Sequence, residues 1–316
     1  MPRVFGLAVS VLSLAILTAG CAAPTVANLP SAQTLPLADA LGGKLLFVRD
    51  GNIWLWGDGR ARQLTTGGTW RQPQWSPDGT EIAYVYRSTN FSELFVMNAD
   101  GHNNRRLTNG QSSSLSDNDW VFRPTWSPNG AQIAYVSDSD SYNPTVWLMN
   151  KDGSNQRQLV RTTSFQEAAD SLAWSPDGKR LAVTSFGSDV SQILLFELGR
   201  SAGQAATESP KGALDPAWSS DGGSLAFAVR EGNGVDIRLR HLDGSAEVTV
   251  SHGGLSRAPT WSPDSARLAF ISSRSGSFEV YVVDVAVNAG QLTVTNERQL
   301  TRDLNVDASS GLSWGS

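Results

Sequence analysis

From Lys44 onward the chain alternates short apolar runs with turn residues, and the same grouping returns along its whole length. One set of runs reads Ile82-Ala83-Tyr84-Val85, Ile133-Ala134-Tyr135-Val136, Leu181-Ala182-Val183-Thr184, Leu225-Ala226-Phe227-Ala228 and Leu268-Ala269-Phe270-Ile271. After a polar loop comes a second set: Leu94-Phe95-Val96-Met97, Val146-Trp147-Leu148-Met149, Ile193-Leu194-Leu195-Phe196 and Val280-Tyr281-Val282-Val283. Short runs rich in β-branched and aromatic residues, bounded by Pro, Asp and Gly, predict strands; no amphipathic helix of useful length is visible. Asp100-Gly101, Asp152-Gly153 and Asp243-Gly244 then lead to an outer strand such as Arg105-Arg106-Leu107-Thr108 or Arg298-Gln299-Leu300-Thr301. Glycine supplies the positive φ that such hairpin turns need.

The first strand of each group ends on a tryptophan. Trp75-Ser76-Pro77-Asp78-Gly79 recurs, with small changes, at Trp126, Trp174, Trp218 and Trp261, in steps of 51, 48, 44 and 43 residues. A period in this range means a solenoid or a propeller. The two ends choose between them. Lys44–Val48, Ile53–Trp56 and Arg62–Thr65 are strands two to four of a unit that lacks its first strand, and Ser310–Gly315 is a first strand with nothing after it. A ring lets one fragment complete the other and removes the open sheet ends. The sequence thus predicts an all-β fold over residues 44–316: a six-bladed β-propeller of four-stranded blades, closed by the C-terminal strand completing the first blade. Trp75, Trp126, Trp174, Trp218, Trp261 and Trp314 share one position in the repeat and are expected between blades, each burial stabilising by about 3 kcal/mol.

The unit Pro-x-Trp-Ser-Pro-Asp-Gly, Ile-Ala-Tyr, Val-Met-Asn-x-Asp-Gly, Arg-x-Leu-Thr resembles the TolB-type, WD-like β-propeller repeat over nearly all of residues 44–316. Departures are Ser220 for proline, Ser265 for glycine, and a degenerate stretch from Gly199 to Lys211 in the fourth blade. The resemblance implies the propeller fold. The family hosts scaffolds and a few enzymes, so the fold alone implies no activity. TolB itself carries an α/β domain ahead of its propeller, where this chain has a 22-residue stretch, so TolB's partners are not carried over.

Residues 1–20 read as a secretion signal: a single basic residue, Arg3, the apolar stretch Val4–Leu17, and small residues before Cys21. Fourteen apolar residues are too few for a permanent membrane span. Leu17-Thr18-Ala19-Gly20-Cys21 resembles a bacterial lipobox, which implies that Cys21 is the lipidated first residue of the mature chain. Residues 21–43, with three prolines, one charge (Asp39) and the closing Gly42-Gly43, read as a tether. The expected location is the bacterial cell membrane or outer membrane, facing the periplasm or the outside. Cys21 is the only cysteine, which excludes a disulfide framework and a Cys-cluster metal site. With 25 basic against 30 acidic residues and no basic run, an electrostatic nucleic-acid binder is excluded as well.

Strand order assigns the Trp-Ser-Pro-Asp-Gly and Asp-Gly turns to one face of the disk and the variable loops to the other. That variable face carries Trp70, Arg71, Phe91, Asp119, Trp120, Phe122, Arg123, Asp138, Asp140, Tyr142, Phe165, Arg230, Arg257 and Arg274. Exposed Trp, Tyr and Arg are the types enriched at binding hot spots; the structural alternative is that Trp120 and Phe122 pack between blades. Catalytic signatures are weak. Gly199-Arg200-Ser201-Ala202-Gly203 has the Gly-x-Ser-x-Gly spacing of serine hydrolases, but without the strand-to-helix elbow that gives the pattern meaning. His102, His241 and His252 fall on different parts of the unit and do not converge on a metal. Asp138 and Asp140 lack the turn glycine and distal Glu of a Ca²⁺ loop. The reading is a membrane-tethered, monomeric, non-enzymatic scaffold without cofactor or metal, binding an envelope protein or peptide through its variable face. Its alternative is a carbohydrate-binding or carbohydrate-cleaving propeller, with Trp120, Tyr142 and Phe165 stacking on sugars and Asp138 and Asp170 as paired acids.

Overall fold

The computed structural model describes residues 33–34, 41–114, 117–139, 143–159, 168–186, 190–200, 202–244, 246–288 and 291–316. The leader, Cys21, Asp140, Tyr142 and Phe165 lie outside the described residues, as does the tether apart from residues 33–34 and 41–43. Six antiparallel sheets stand around a central axis, and no α-helix occurs among the described residues. The second blade shows the plan: Trp70–Trp75 innermost, then Glu81–Arg87, Ser92–Asn98 and the outer Arg105–Arg106. Val121–Trp126, Ala168–Trp174, Ala213–Trp218 and Ser256–Trp261 open the third to sixth blades in the same way.

The ring closes as the sequence predicts. Ser313–Gly315 pairs with Lys44–Arg49, which is followed by Asn52–Gly57 and Arg60–Gln63; Leu45 lies opposite Trp314 and Leu46 opposite Ser313. The order begins ahead of Lys44. Leu41 is buried, Trp314 Nε1 donates to the Gly42 carbonyl at 3.3 Å, and Gln33–Thr34 adds a fifth, outermost strand against Arg60–Ala61.

Local chemistry explains the repeated motif. In each full unit the Ser hydroxyl donates to the Asp or Asn two residues on: Ser76 to Asp78, Ser127 to Asn129, Ser175 to Asp177, Ser219 to Asp221 and Ser262 to Asp264, at 2.5–2.7 Å. The same hydroxyl accepts the N–H that opens the next strand, as from Glu81 to Ser76 at 2.9 Å. Hydrogen bonds from the Ser hydroxyl and from the backbone N–H beyond the turn hold the Asp78, Asp177, Asp221 and Asp264 carboxyls below their ordinary value. The tight-turn face thus spends its acceptors on its own turns.

The core lies between blades as six apolar clusters. All six repeated tryptophans are buried. Trp126, Trp218 and Trp261 donate Nε1 to the carbonyls of Gln74, Ala173 and Ala217, each the residue just before the tryptophan of the preceding blade. The indole thereby stitches neighbouring blades as well as filling the gap between them. The sixth blade departs from its expected strand lengths. Its third strand runs on from Val283 to Asn288 and pairs with Gln291–Gln299, because Val285, Leu292 and Val294 continue an apolar stripe that packs on the outer part of the fifth blade.

Candidate binding site at the channel mouth

Three residues before the tryptophan of the second to sixth blades the innermost strand bulges, and Gly311 holds the same position ahead of the closing strand. Gln72, Arg123, Asp215, Ala258 and Gly311 sit at φ between 52° and 77°, and the register slips there, as between Arg71 and Gln74 or Leu214 and Ala217. The bulge turns this column toward the axis. Gln72, Arg123, Ser171, Asp215, Ala258 and Gly311 line a channel cavity of about 70 Å³. On the variable face the channel adjoins a depression of about 410 Å³ between the second and third blades, lined by Arg71, Arg87, Trp120, Phe122, Arg123, Asp138 and Asp170 among others. A second depression, about 660 Å³, lies toward the fifth and sixth blades, with Val235, Leu255, Arg257, Phe278 and Val306 in its wall. The segment 305–310 borders both.

Electrostatics at the axis centre on Asp215. Its carboxylate accepts Arg257 Nε at 2.6 Å, Arg257 Nη2 at 3.2 Å and the Ala258 N–H at 3.2 Å, and Arg123 Nη2 lies 3.9 Å away. Burial pushes the Asp215 carboxyl up, but the Arg257 and Arg123 charges and these hydrogen bonds outweigh it and hold it below its ordinary value. Arg257 responds in the complementary sense. Burial works against its charge, yet Asp215, with a further contribution from Asp170, firms it. Asp307, in the bordering segment, is pushed up by burial and held lower overall by the Ser309 and Ser310 hydroxyls, the Ser309 N–H and Arg71, whose Nε is 3.4 Å away.

The nominated residues divide by what holds them. Trp120 and Asp138 are tied together at the depression: the Trp120 N–H donates to Asp138 Oδ1 at 2.7 Å, and the Arg87 guanidinium lies 5.6 Å above the indole. Asp170 lines the same wall. Phe122 also leans into the apolar cluster between the third and fourth blades. Trp70 and Phe91 are buried, Trp70 among Tyr84, Tyr86 and Phe95 and Phe91 against Tyr86. Asp119 braces its loop through backbone bonds with Gly110 and Ser92. Arg274 stacks on Tyr281 at 4.0 Å and pairs with Glu297 at 2.9 Å, so it serves the blade. Arg230 is exposed on the fifth blade.

Sequence reasoning passed over Gln72, Arg87, Ser171 and Asp215, and the apolar wall of Leu255 and Phe278. The column three before the tryptophan was a readable signal, since Asp215 puts a carboxylate into an innermost strand. The second depression had none, because its residues come from separate blades.

A model described as the TolB beta propeller domain matches residues 111–234 and 139–312. The chain belongs to the TolB beta propeller family. Within it, the TolB homolog of Chlorobium luteolum is 32% identical over 158 residues, covering 49% of this chain and 35% of that protein. An uncharacterized peptidase of Bacillus subtilis, YuxL, is 28% identical over 176 residues, covering 50% and 25% respectively. The chain therefore spans about a third or less of the length of these curated relatives. TolB from Acinetobacter baumannii superposes with a TM-score of 0.69 over 88% of this chain and 67% of that one, at 16% identity, a likeness of fold.

Proposed function

We propose that this TolB-family propeller is a lipid-tethered, non-enzymatic scaffold of the bacterial cell envelope that holds a protein or peptide on its variable-loop face. The observation that carries the reading is the depression of about 410 Å³ beside the channel, where Trp120, Phe122, Arg71, Arg87 and Arg123 converge. Aromatic and arginine side chains in a concave site are the groups that anchor interfaces. The opposite face, with its acceptors engaged in Ser–Asp turns, offers less. The leader and Cys21 support export and anchoring, and the TolB homolog of Chlorobium luteolum places the chain among propellers of that name. The peptidase-named relative matches over a quarter of its own length, so its chemistry is not carried over.

Crosslinking and affinity capture from membranes with the intact lipoprotein should yield a discrete partner. In a Trp120→Ala, Arg123→Ala double variant, recovery should fall by roughly thirtyfold, the size of a 2 kcal/mol hot-spot loss. Equal recovery by both proteins would remove this face from the account. Cys21→Ser should move the protein from the membrane fraction to the soluble fraction; continued membrane association would count against lipidation at that residue.

The carbohydrate reading has one observation in its favour: Trp120, Asp138 and Asp170 share a wall. Glycan binding that Trp120→Ala abolishes, with no protein adduct from membranes, would replace the scaffold reading with it.

A further inference from the structure

Three of the six residues in the axial column are hydrogen-bond acceptors, and Arg123, Ala258 and Gly311 carry no side-chain acceptor. Gln72 Oε1 accepts the Arg123 N–H at 2.7 Å, Ser171 Oγ accepts the Asp215 N–H at 3.2 Å, and Asp215 Oδ2 accepts the Ala258 N–H at 3.2 Å. In each case a side chain braces the matching residue of the next blade. Of the three that do not accept, Arg123 alone puts a charge into the channel. Its ion pair with Asp215 accounts for its position only in part. Only 15% of the side chain is exposed, Nε is buried without a hydrogen-bond partner among the described residues, and Nη2 stops 3.9 Å from Asp215, beyond hydrogen-bond distance. The Asp215 carboxylate is already engaged by Arg257 and Ala258. Two guanidinium groups thus share one buried carboxylate, and the one with the poorer claim lines both the channel cavity and the open depression. A half-buried guanidinium whose Nε–H has no partner is costly to keep, and an arriving anion offsets that cost.

We infer that Arg123 is the receptor for a carboxylate presented by the bound partner, an acidic side chain or a chain terminus, seated where the depression meets the channel. The inference rests on the peptide-binding reading above and names the chemistry that reading needs at its centre. A planar monoanion matches the guanidinium fork. Asp138 and Asp170 on the same wall repel a dianion such as a phosphate group, which sets the preference for a single charge. Of the other cations there, Arg71 is taken by Asp307 at 3.4 Å, and Arg87 lies exposed at the lip over Trp120, where it steers the same anion inward.

The test is ¹⁵N NMR on the full chain, following the Arg123 Nε–H signal and the Ser310 and Gly311 amides. Acetate and sulfate are titrated separately at constant ionic strength. Acetate should shift all three signals saturably, sulfate should need at least tenfold higher concentration, and Arg123→Gln should abolish the Gly311 response. Absent or non-saturating shifts, a response that persists in Arg123→Gln, or equal binding of sulfate would overturn the assignment. Should Arg123→Gln fail to fold, the native Nε–H signal decides alone. A saturable acetate response in a protein that captures no membrane partner would keep this site and remove the scaffold function. Partner capture without an acetate response would do the reverse.

Discussion

A chain ending at Gly311 should lose the cooperative unfolding transition of the intact propeller. The five residues removed include Leu312 and Trp314, both buried where the sixth blade meets the first. They also include Ser313, whose Oγ accepts the Trp75 N–H at 3.0 Å, and Gly315, whose close fit leaves a Cβ at that position 2.7 Å from the Trp75 ring. Trp314→Ala alone should cost about 3–5 kcal/mol, by lost transfer energy and the cavity left behind. The truncation should cost more. It also bares the Lys44–Arg49 edge, and unpaired strand edges associate. Urea unfolding followed by tryptophan fluorescence, with size-exclusion chromatography alongside, reads both effects. An unchanged midpoint in a monomeric truncated chain would mean that the ring does not depend on its closing strand.

Asp215→Ala should destabilise by about 3–5 kcal/mol, the range for removing one partner of a buried ion pair. The penalty comes from leaving Arg257 and Arg123 facing each other without their shared carboxylate, so it exceeds the worth of the contacts themselves. The pH dependence follows in sign. Asp215 has a lower pKa folded than unfolded, so its stabilisation is fully present above the ordinary carboxylate value near 3.8. It disappears as pH falls below that value and through the lower folded one. Denaturation midpoints of the native chain and of Asp215→Ala should therefore converge on acidification below about pH 4. A constant gap between them down to pH 2 would mean that the carboxylate charge is not what the mutation removes.

The fold was legible because the repeat encodes it at several levels at once. Trp75-Ser76-Pro77-Asp78-Gly79 specifies a strand end, a self-satisfied turn and an inter-blade ring in five residues, and it returns with a period that admits few architectures. The incomplete units at the two ends settled closure. The site was less legible, since it is assembled across blades. The variable face was deducible from strand order, yet exposure of an individual loop residue was not. Trp70, Phe91 and Arg274 look like surface chemistry in the sequence and turn out to pack on Tyr84, Tyr86 and Tyr281. Asp215 was passed over for the opposite reason. It sits inside an apolar strand, and only the bulge turns it toward the axis and the two arginines.

Photocrosslinking in intact membranes tests the central claim most directly. Benzoylphenylalanine placed at position 120, on the channel-mouth face, should give one discrete partner adduct. The same residue placed at position 151, in the exposed tight turn on the opposite face, should give none. Adducts from position 151 alone, or of equal yield from both, would contradict a propeller that reads its partner at the channel mouth.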